Sequence, residues 1–400
     1  MESNFLIVGG GFGQLPAIRA AKEMGLTTIV VDGNYQALGM KEADISLIVD
    51  LLDIQGIVNV AQEYNVQGVM TMQSDIGIPA VGAVVDALGI SGTGLDVAKR
   101  CSNKIQMREK LLASGVPQPK FLSVTTYEEA QRAASELGFP CIVKAPDSSG
   151  SRGVVKVCNL DGINAAFIEA KKFATDHRIL VEEFIDGTEI GVQGFSLDGV
   201  CELALVHDDY LSSPPYMVPI GHSFPTELSE NVRREVEKVA KNCVDALGIL
   251  SGPSNIDIIL DRNNKPKIIE VGARIGATCL PELVFYHSGI DWVKAAIKSA
   301  LGQLSKDQLT LGNPVPVAAF ILQSPKDGTF GGYNFVDIDL LKDIKILEWE
   351  FTVAPGQKVC MLRKGTDRIG KVVVTGVSVE DSLARARLFL NNLEITVLDT

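Results

Sequence analysis

Short apolar runs separated by Ala-rich stretches open the chain: FLIVGG, TTIVVD, ISLIVD and GVMTM all fall before residue 95. Runs of that length, bounded by turn residues and alternating with helical stretches, predict a parallel sheet wrapped in helices. SNKIQMREKLLASGVPQP follows, beginning with a capping residue at Ser102, reading as an amphipathic helix and stopping at Gly115 and Pro117. A boundary is therefore expected near residue 100. From about 120 to 200 the spacing mixes hairpins with crossovers: PKFLSV, a helix over TTYEEAQRAASELG, PCIVKAP, GVVKV, a helix near GINAAFIEAKKFA, RILVEEFI and EIGVQGFSL. That mixture points to α+β. After a helix over NVRREVEKVAKNCVDALG come two strands, SNIDIIL and PKIIEVGA, and DWVKAAIKSALG closes the middle part near 305. A smaller β-rich tail runs from VPVAAFIL through RIGKVVVTG to a helix over EDSLARARLFLNN. The fold class is thus α/β and α+β, in three expected domains at 1–100, 101–305 and 306–400.

The stretch FLIVGGGFGQLPAIRAA, with a second strand ending at Asp32, has the outline of a dinucleotide site. Its spacing does not fit. A start at Gly9 or Gly11 puts Gln14 or Pro16 where a third glycine should let helix pack on strand. An NAD-dependent oxidoreductase is therefore a poor match.

Composition narrows the classes further. A net charge of -12 and a pI near 5.0 disfavour a nucleic-acid partner, which requires a basic stripe. Seven scattered cysteines without a CxxC pair read as reduced thiols. No apolar run reaches the roughly 18 residues of a membrane span, and Met1-Glu2-Ser3-Asn4 lacks a basic export region. A soluble, cytoplasmic protein is expected.

The most informative chemistry lies in SNIDIILDRNNKPKIIEVGAR. Two apolar strands flank DRNNKP, and Asn tolerates the positive φ that tight turns need, so a hairpin centred on Asn263 and Asn264 is predicted. Symmetric pairing about that centre sets Asp257 opposite Glu270 and Asn255 opposite Gly272. Ile256, Ile258, Leu260, Ile269 and Val271 then face the core. Like charges directly opposite one another repel unless a proton or cation sits between them, and a hard divalent cation such as Mg2+ suits the pair. The alternative is a solvent-facing hairpin with hydrated carboxylates.

Two further stretches admit a nucleotide reading beside a plain one, which is an ordinary hairpin tip for the first and a charged strand end for the second. FPCIVKAPDSSGSRGVVKV ends an apolar strand in Lys144 and follows it with Ser148, Ser149, Gly150, Ser151, Arg152 and Gly153. Small side chains let backbone N–H groups approach phosphate oxygens, and the lysine adds a point charge. The spacing is not that of a P-loop. In RILVEEFIDGTEIGVQGF a strand breaks at Glu182-Glu183 and restarts, which exposes backbone groups of the kind that imitate a base-pair edge toward adenine.

The ordered set resembles the ATP-grasp superfamily: a small α/β domain, Lys104, Lys144 with its Ser/Gly loop, EEFIDGTE, the Asp257/Glu270 hairpin, then Arg274. Within it, EVGARIGA and GHSFPTEL look most like the L-amino-acid (dipeptide) ligases, and DRIGKVVVTG like the C-terminal domain of carboxylase-like members. The resemblance implies ATP and Mg2+ (or Mn2+) as cofactors. Lys104 and Lys144 would bind phosphates under the loop from Ser148 to Gly153. Glu183 and Ile185 would meet adenine through the main chain, with Glu182 near the nucleotide and Glu189 on the ribose. Asp257 and Glu270, with Asn255 nearby, would hold the metal. Arg274 would steady the transferring phosphoryl group, and His222 would line the acceptor or acyl pocket. Gly272 departs from the family where many members carry a metal-binding Asn, and Pro219 departs where the dipeptide ligases carry a Glu.

The expected activity is carboxylate–amine ligation through an acyl phosphate, acting on small carboxylate and amine substrates, with a homodimer left open as the assembly. A bicarbonate-using carboxylase is the rival within the superfamily, and a non-catalytic nucleotide-binding regulator the rival outside it. His207, in VHDDYLSSPPYM, reads as a polar loop histidine, Trp292 as packing, and Asp75 as a substrate contact at the end of a strand.

Overall fold

The opening strands form where the alternation places them. The computed structural model describes residues 3–148, 150, 152–175, 177–213 and 216–399. In it β1 (Asn4–Val8), β2 (Thr27–Asp32), β3 (Ile45–Ile48) and β4 (Gly68–Met70) make a parallel sheet in the order β3-β2-β1-β4. Leu6, Val8, Ile29 and Val31 from its strands pack with Ile57, Ala61, Ala80 and Val84 from two of its helices. In the glycine turn, the Asp32 carboxylate accepts the Gly10 N–H at 2.7 Å and the Gln14 side chain donates to the Met72 carbonyl at 2.5 Å. The carboxylate that a dinucleotide site would turn toward ribose thus holds its own backbone.

The helix expected from Ser102 runs over Lys104–Ala113, and Ser102 instead ends a preceding helix, Leu95–Ser102. Asn103 is the cap that separates them: it is extended, and its side chain accepts the N–H groups of Ile105 and Gln106 at 3.0 and 3.1 Å. Next comes an antiparallel sheet of β5 (Phe121–Val124), β6 (Cys141–Lys144), β7 (Val154–Val157) and β8 (Ile179–Glu183), in the order β5-β8-β6-β7. Helices Tyr127–Leu137, with a Thr126/Glu129 capping box, and Ile163–Lys171 bury Ala130, Ala134, Ala166 and Phe167 against it.

Contacts divide the chain into two units: 1–205, 230–277 and 293–309 form the first, and 206–229, 278–292 and 310–400 the second. The chain leaves the first unit along β10 (Val200–Leu211), which follows β9 (Gly187–Leu197). It makes β11 (Pro219–Phe224) in the second, then returns for β12 (Gly252–Asp261) and β13 (Pro266–Gly272). In the first unit β12 pairs antiparallel with both β9 and β13. The second unit holds β14 (Val317–Leu322), β15 (Gly328–Phe335), β16 (Lys345–Phe351), β17 (Lys358–Val359), β18 (Gly370–Thr375) and β19 (Leu393–Leu398). There β14 lies between β11 and β18, and helix Val379–Asn392 contributes Leu383, Ala386 and Phe389 to a core with Phe320, Val372 and Val374. This pairing gathers 206–229 with the tail in the second unit.

The β12–β13 hairpin reaches the expected pairing by a different route. Its loop spans three residues, 262–264, not two, with Asn264 left-handed at φ 56° and the Asp261 N–H bonded to the Lys265 carbonyl at 3.0 Å. Ile258, Ile259 and Leu260 consequently face Ile268, Lys267 and Pro266. A bulge at Ile269 then adds one residue to β13 and restores Asp257 opposite Glu270 and Asn255 opposite Gly272. One expectation fails here, because Ile268 and not Ile269 is buried beside Ile256, Ile258, Leu260 and Val271.

His207 is also not a loop residue: it sits buried in β10. Trp292 is buried as expected. Among the described residues no helix is long and apolar enough to cross a membrane, and all seven cysteines are free thiols.

Replacing Asn264 by Val forces a β-branched residue into the left-handed region and should lower stability by about 1–2 kcal/mol. Replacement by Gly should leave it unchanged or raise it. Urea midpoints at constant slope read both outcomes.

Candidate active site

Residues four apart on a helix share a face, and Lys104–Ala113 uses this to send Lys104 and Arg108 to the same side. The Lys104 ammonium donates to the Ser148 carbonyl at 2.7 Å and to Glu270 Oε1 at 2.6 Å. Arg108 is wholly buried. Its Nε donates to Glu182 Oε1 at 2.6 Å, and its outer nitrogens donate to the Ile268 and Ile269 carbonyls at 3.1 and 2.7 Å. Those two carbonyls flank the bulge, so the guanidinium pins the irregular step of β13. Lys144, the last residue of β6, places Nζ 2.8 Å from Glu182 Oε2.

Glu182 therefore sits between two cations with 3% of its side chain exposed. Burial pushes its carboxyl upward, but the charges of Arg108 and Lys144 win and hold it down to about 2. For Lys144 the balance runs the other way. Burial, helped by the neighbouring Arg108 and Lys104 charges, outweighs Glu182 and lowers the ammonium to about 8.

Across the hairpin, Asp257 and Glu270 are cross-strand partners, with Lys104 on Glu270. The Asn255 amide donates to Asp257 Oδ1 at 2.9 Å while its oxygen accepts from Gln193 at 2.7 Å. As placed, Asn255 orients Asp257 and turns nitrogen, not oxygen, toward it. Arg274 donates from Nε to Asp75 Oδ1 at 2.8 Å. Burial opposes the Arg274 charge, and Asp75, Asp257 and Glu270 together outweigh it and raise its pKa. Asp75 is held low by Arg274 and Lys104 against its own burial. The strand-end residue expected to touch substrate is thus engaged with the arginine.

Gly272 lies beside this pair. A Cβ there would come 3.0 Å from Asp75 Oδ1 and 3.2 Å from Arg274 Cζ. Asp75 and Arg274 occupy the space that a longer side chain at 272 would need.

The structure brings Lys104, Lys144, Ser148, Glu182, Asn255, Asp257, Glu270 and Arg274 into one linked network within the first unit. Of the expected phosphate loop, Gly150 and Gly153 are left-handed, and a Cβ on Gly153 would meet Phe173 at 2.9 Å. Ser149 and Ser151 lie outside the described residues. Glu183 accepts the Lys120 N–H at 2.8 Å through its side chain and donates its own N–H to the Lys120 carbonyl at 3.0 Å. Ile185 is half-buried between β8 and β9, and Glu189 is exposed on β9 opposite Ile259. His222 belongs to the second unit, where its Nδ1 lies 2.5 Å from Asp209 Oδ1. Sequence reasoning missed Arg108, Gln193 and Asp209. The four-residue step from Lys104 was a usable signal for Arg108, and nothing comparable marks the other two.

An oxygen-rich pair with a lysine and an arginine alongside suits a hard cation that keeps waters and phosphate oxygens as its remaining ligands. Residues 111–292 match the family model of the D-Ala–D-Ala ligase C-terminus, and residues 321–398 match L-amino acid ligase C-terminal domain 2. An uncharacterized protein of Sinorhizobium fredii is 28% identical over 338 residues, 79% of this chain, which spans 65% of that relative's length. The formate-dependent phosphoribosylglycinamide formyltransferase of Saccharolobus solfataricus is 26% identical over 408 residues, 96% of this chain and 95% of that protein. Among solved structures, an L-amino acid ligase from Bacillus licheniformis superposes with a TM-score of 0.84 at 21% identity, over 100% of this chain and 99% of that one. At that identity the match speaks to the fold.

Arg108→Met leaves Glu182 buried with one partner and should cost about 3–5 kcal/mol in chemical denaturation. The wild type should also lose stability as pH falls from 4.5, the ordinary value for Glu182, toward about 2, because the folded state holds the carboxylate ionised. In Glu182→Gln that acid loss should be shallower when urea midpoints are compared across the same range.

Proposed function

We propose that the chain is an ATP-grasp ligase that activates a small carboxylate with ATP and passes it to an amine, forming an amide. The observation that carries this reading is the in-register Asp257/Glu270 pair with Lys104 on Glu270 and Arg274 close enough to feel both charges. Two carboxylates facing one another destabilise a hairpin unless positive charge joins them. A nucleotide site turns that cost to use. The relatives support the same class, since one is named for ligating amino acids and another for formate-dependent formyl transfer.

Asp257 and Glu270 would hold Mg2+, which when bound draws charge from the phosphate oxygens. Lys104 and Lys144 would take phosphate oxygens, and the residues from 148 to 153 would cover them and keep out water. Adenine would meet the Glu183 carbonyl and the Ile185 N–H, and Glu189 the ribose. The substrate carboxylate oxygen attacks the γ-phosphorus in line as the bond to ADP breaks, giving an acyl phosphate. The amine then attacks the acyl carbon, phosphate leaves, and the nitrogen gives up its proton. Arg274, held by Asp75 through Nε and by the Ile275 carbonyl through Nη1, would present its remaining N–H groups to the charge that builds at both steps. No protein nucleophile is required; position and charge supply the rate.

The test is phosphate release with ATP, Mg2+ and pooled carboxylic acids, with and without amino acids. Release should require both substrates, and release driven by bicarbonate alone would instead identify a carboxylase. Glu270→Gln should abolish ADP formation. Asp75→Asn, which frees the guanidinium, should lower kcat with little change in the KM for ATP; a fall in ATP affinity alone would remove Asp75 from this role.

A further inference from the structure

A second cluster lies in the second unit and owes nothing to the nucleotide reading. His207 and Asp209 are two apart on β10 and so share a face, and Asp209 is the cross-strand partner of His222 on β11. One oxygen, Asp209 Oδ1, lies 2.8 Å from His207 Nδ1 and 2.5 Å from His222 Nδ1. The donor atoms of the three side chains all fall within 4.8 Å of one another. The imidazoles are 2% and 5% exposed, and the carboxylate 14%. The rings meet edge to face at 5.0 Å, and Phe224, 5.3 Å from His207, closes the apolar side. A third histidine nearby, His287, stacks on Phe224 and turns Nδ1 to the Val315 carbonyl at 2.8 Å, so it stays out of the cluster.

A buried carboxylate needs positive charge beside it. The ion pairs of Asp209 are with imidazoles, which carry a full charge only when protonated, unlike the lysines and arginines that serve Glu182 and Asp75. We propose that His207, Asp209 and His222 form a binding site for one divalent transition-metal ion of the zinc class. Two imidazole nitrogens with one carboxylate oxygen select Zn2+, Co2+ or Ni2+ over Mg2+ and Ca2+, which prefer all-oxygen sets. Bonds of about 2.0–2.1 Å to each donor set neighbouring ligand atoms a little over 3 Å apart. The His207 and His222 nitrogens therefore need to draw back from the oxygen by roughly 0.5 and 0.8 Å, and each ring must carry its proton on Nε2. Three protein ligands leave a coordination position open for water or another small donor.

The experiment uses the full chain carrying Cys158→Ser, because Cys158 is an exposed thiol that would itself take up the probe. The protein is stripped with a chelator and titrated with Zn2+ against a chromophoric competitor, in excess Mg2+ and without ATP. One equivalent should bind. His207→Ala and His222→Ala should each weaken it by at least about 100-fold, the upper end of what a merely supporting hydrogen bond is worth to a metal site. Zn2+ binding unchanged in both variants, or none in the parent, overturns the site. Should either variant fail to fold, anomalous scattering at the zinc edge from a soaked crystal of the parent decides: a peak between the three side chains supports the proposal, and its absence refutes it.

Discussion

Glu182 is the point on which the first unit closes. A carboxylate with almost no access to water can stay ionised only if its partners are fixed, and here they arrive from different parts of the chain: Arg108 from a helix and Lys144 from the end of β6. Because Arg108 also reaches the Ile268 and Ile269 carbonyls, the same charge cluster ties β8 to β13. Buried ion pairs of this kind add little net stability over an apolar replacement, yet losing one member is severe. Their effect is to allow one arrangement of these elements and penalise others.

That arrangement delivers a deliberate conflict. Asp257 and Glu270 face each other across two strands, and the surrounding protein eases the repulsion without removing it, through Lys104 on one side and Arg274 on the other. Arg274 is in turn held by Asp75, at the end of the parallel sheet, where open α/β folds place their ligand-binding residues. The first domain thus contributes to the site through the orientation of a cation, and its glycine turn serves its own backbone.

Much of this was legible because it rests on local rules. Apolar runs with helical spacers gave the parallel sheet, and the alternation in SNIDIIL and PKIIEVGA identified which face of the hairpin carries acid. What stayed hidden involves choices that only tertiary contacts make. Arg108 looks like any other charge on an amphipathic helix until its burial is known. His207 sits in a polar-looking stretch that nonetheless forms the middle of a strand, and a neighbouring Asp gives no sign that it will share an oxygen between two rings. Asn255 was placed correctly, but which end of its amide turns to Asp257 depends on Gln193, 62 positions away.

The hairpin carries one more lesson. Its longer loop and the extra residue at Ile269 are two departures from a regular ladder that offset each other, so the acidic residues meet as they would with neither present. Anyone re-centring this hairpin on an idealised two-residue turn at Asn263 and Asn264 would have to remove the irregular step in the same move, or the two acidic positions would slide out of phase by one residue.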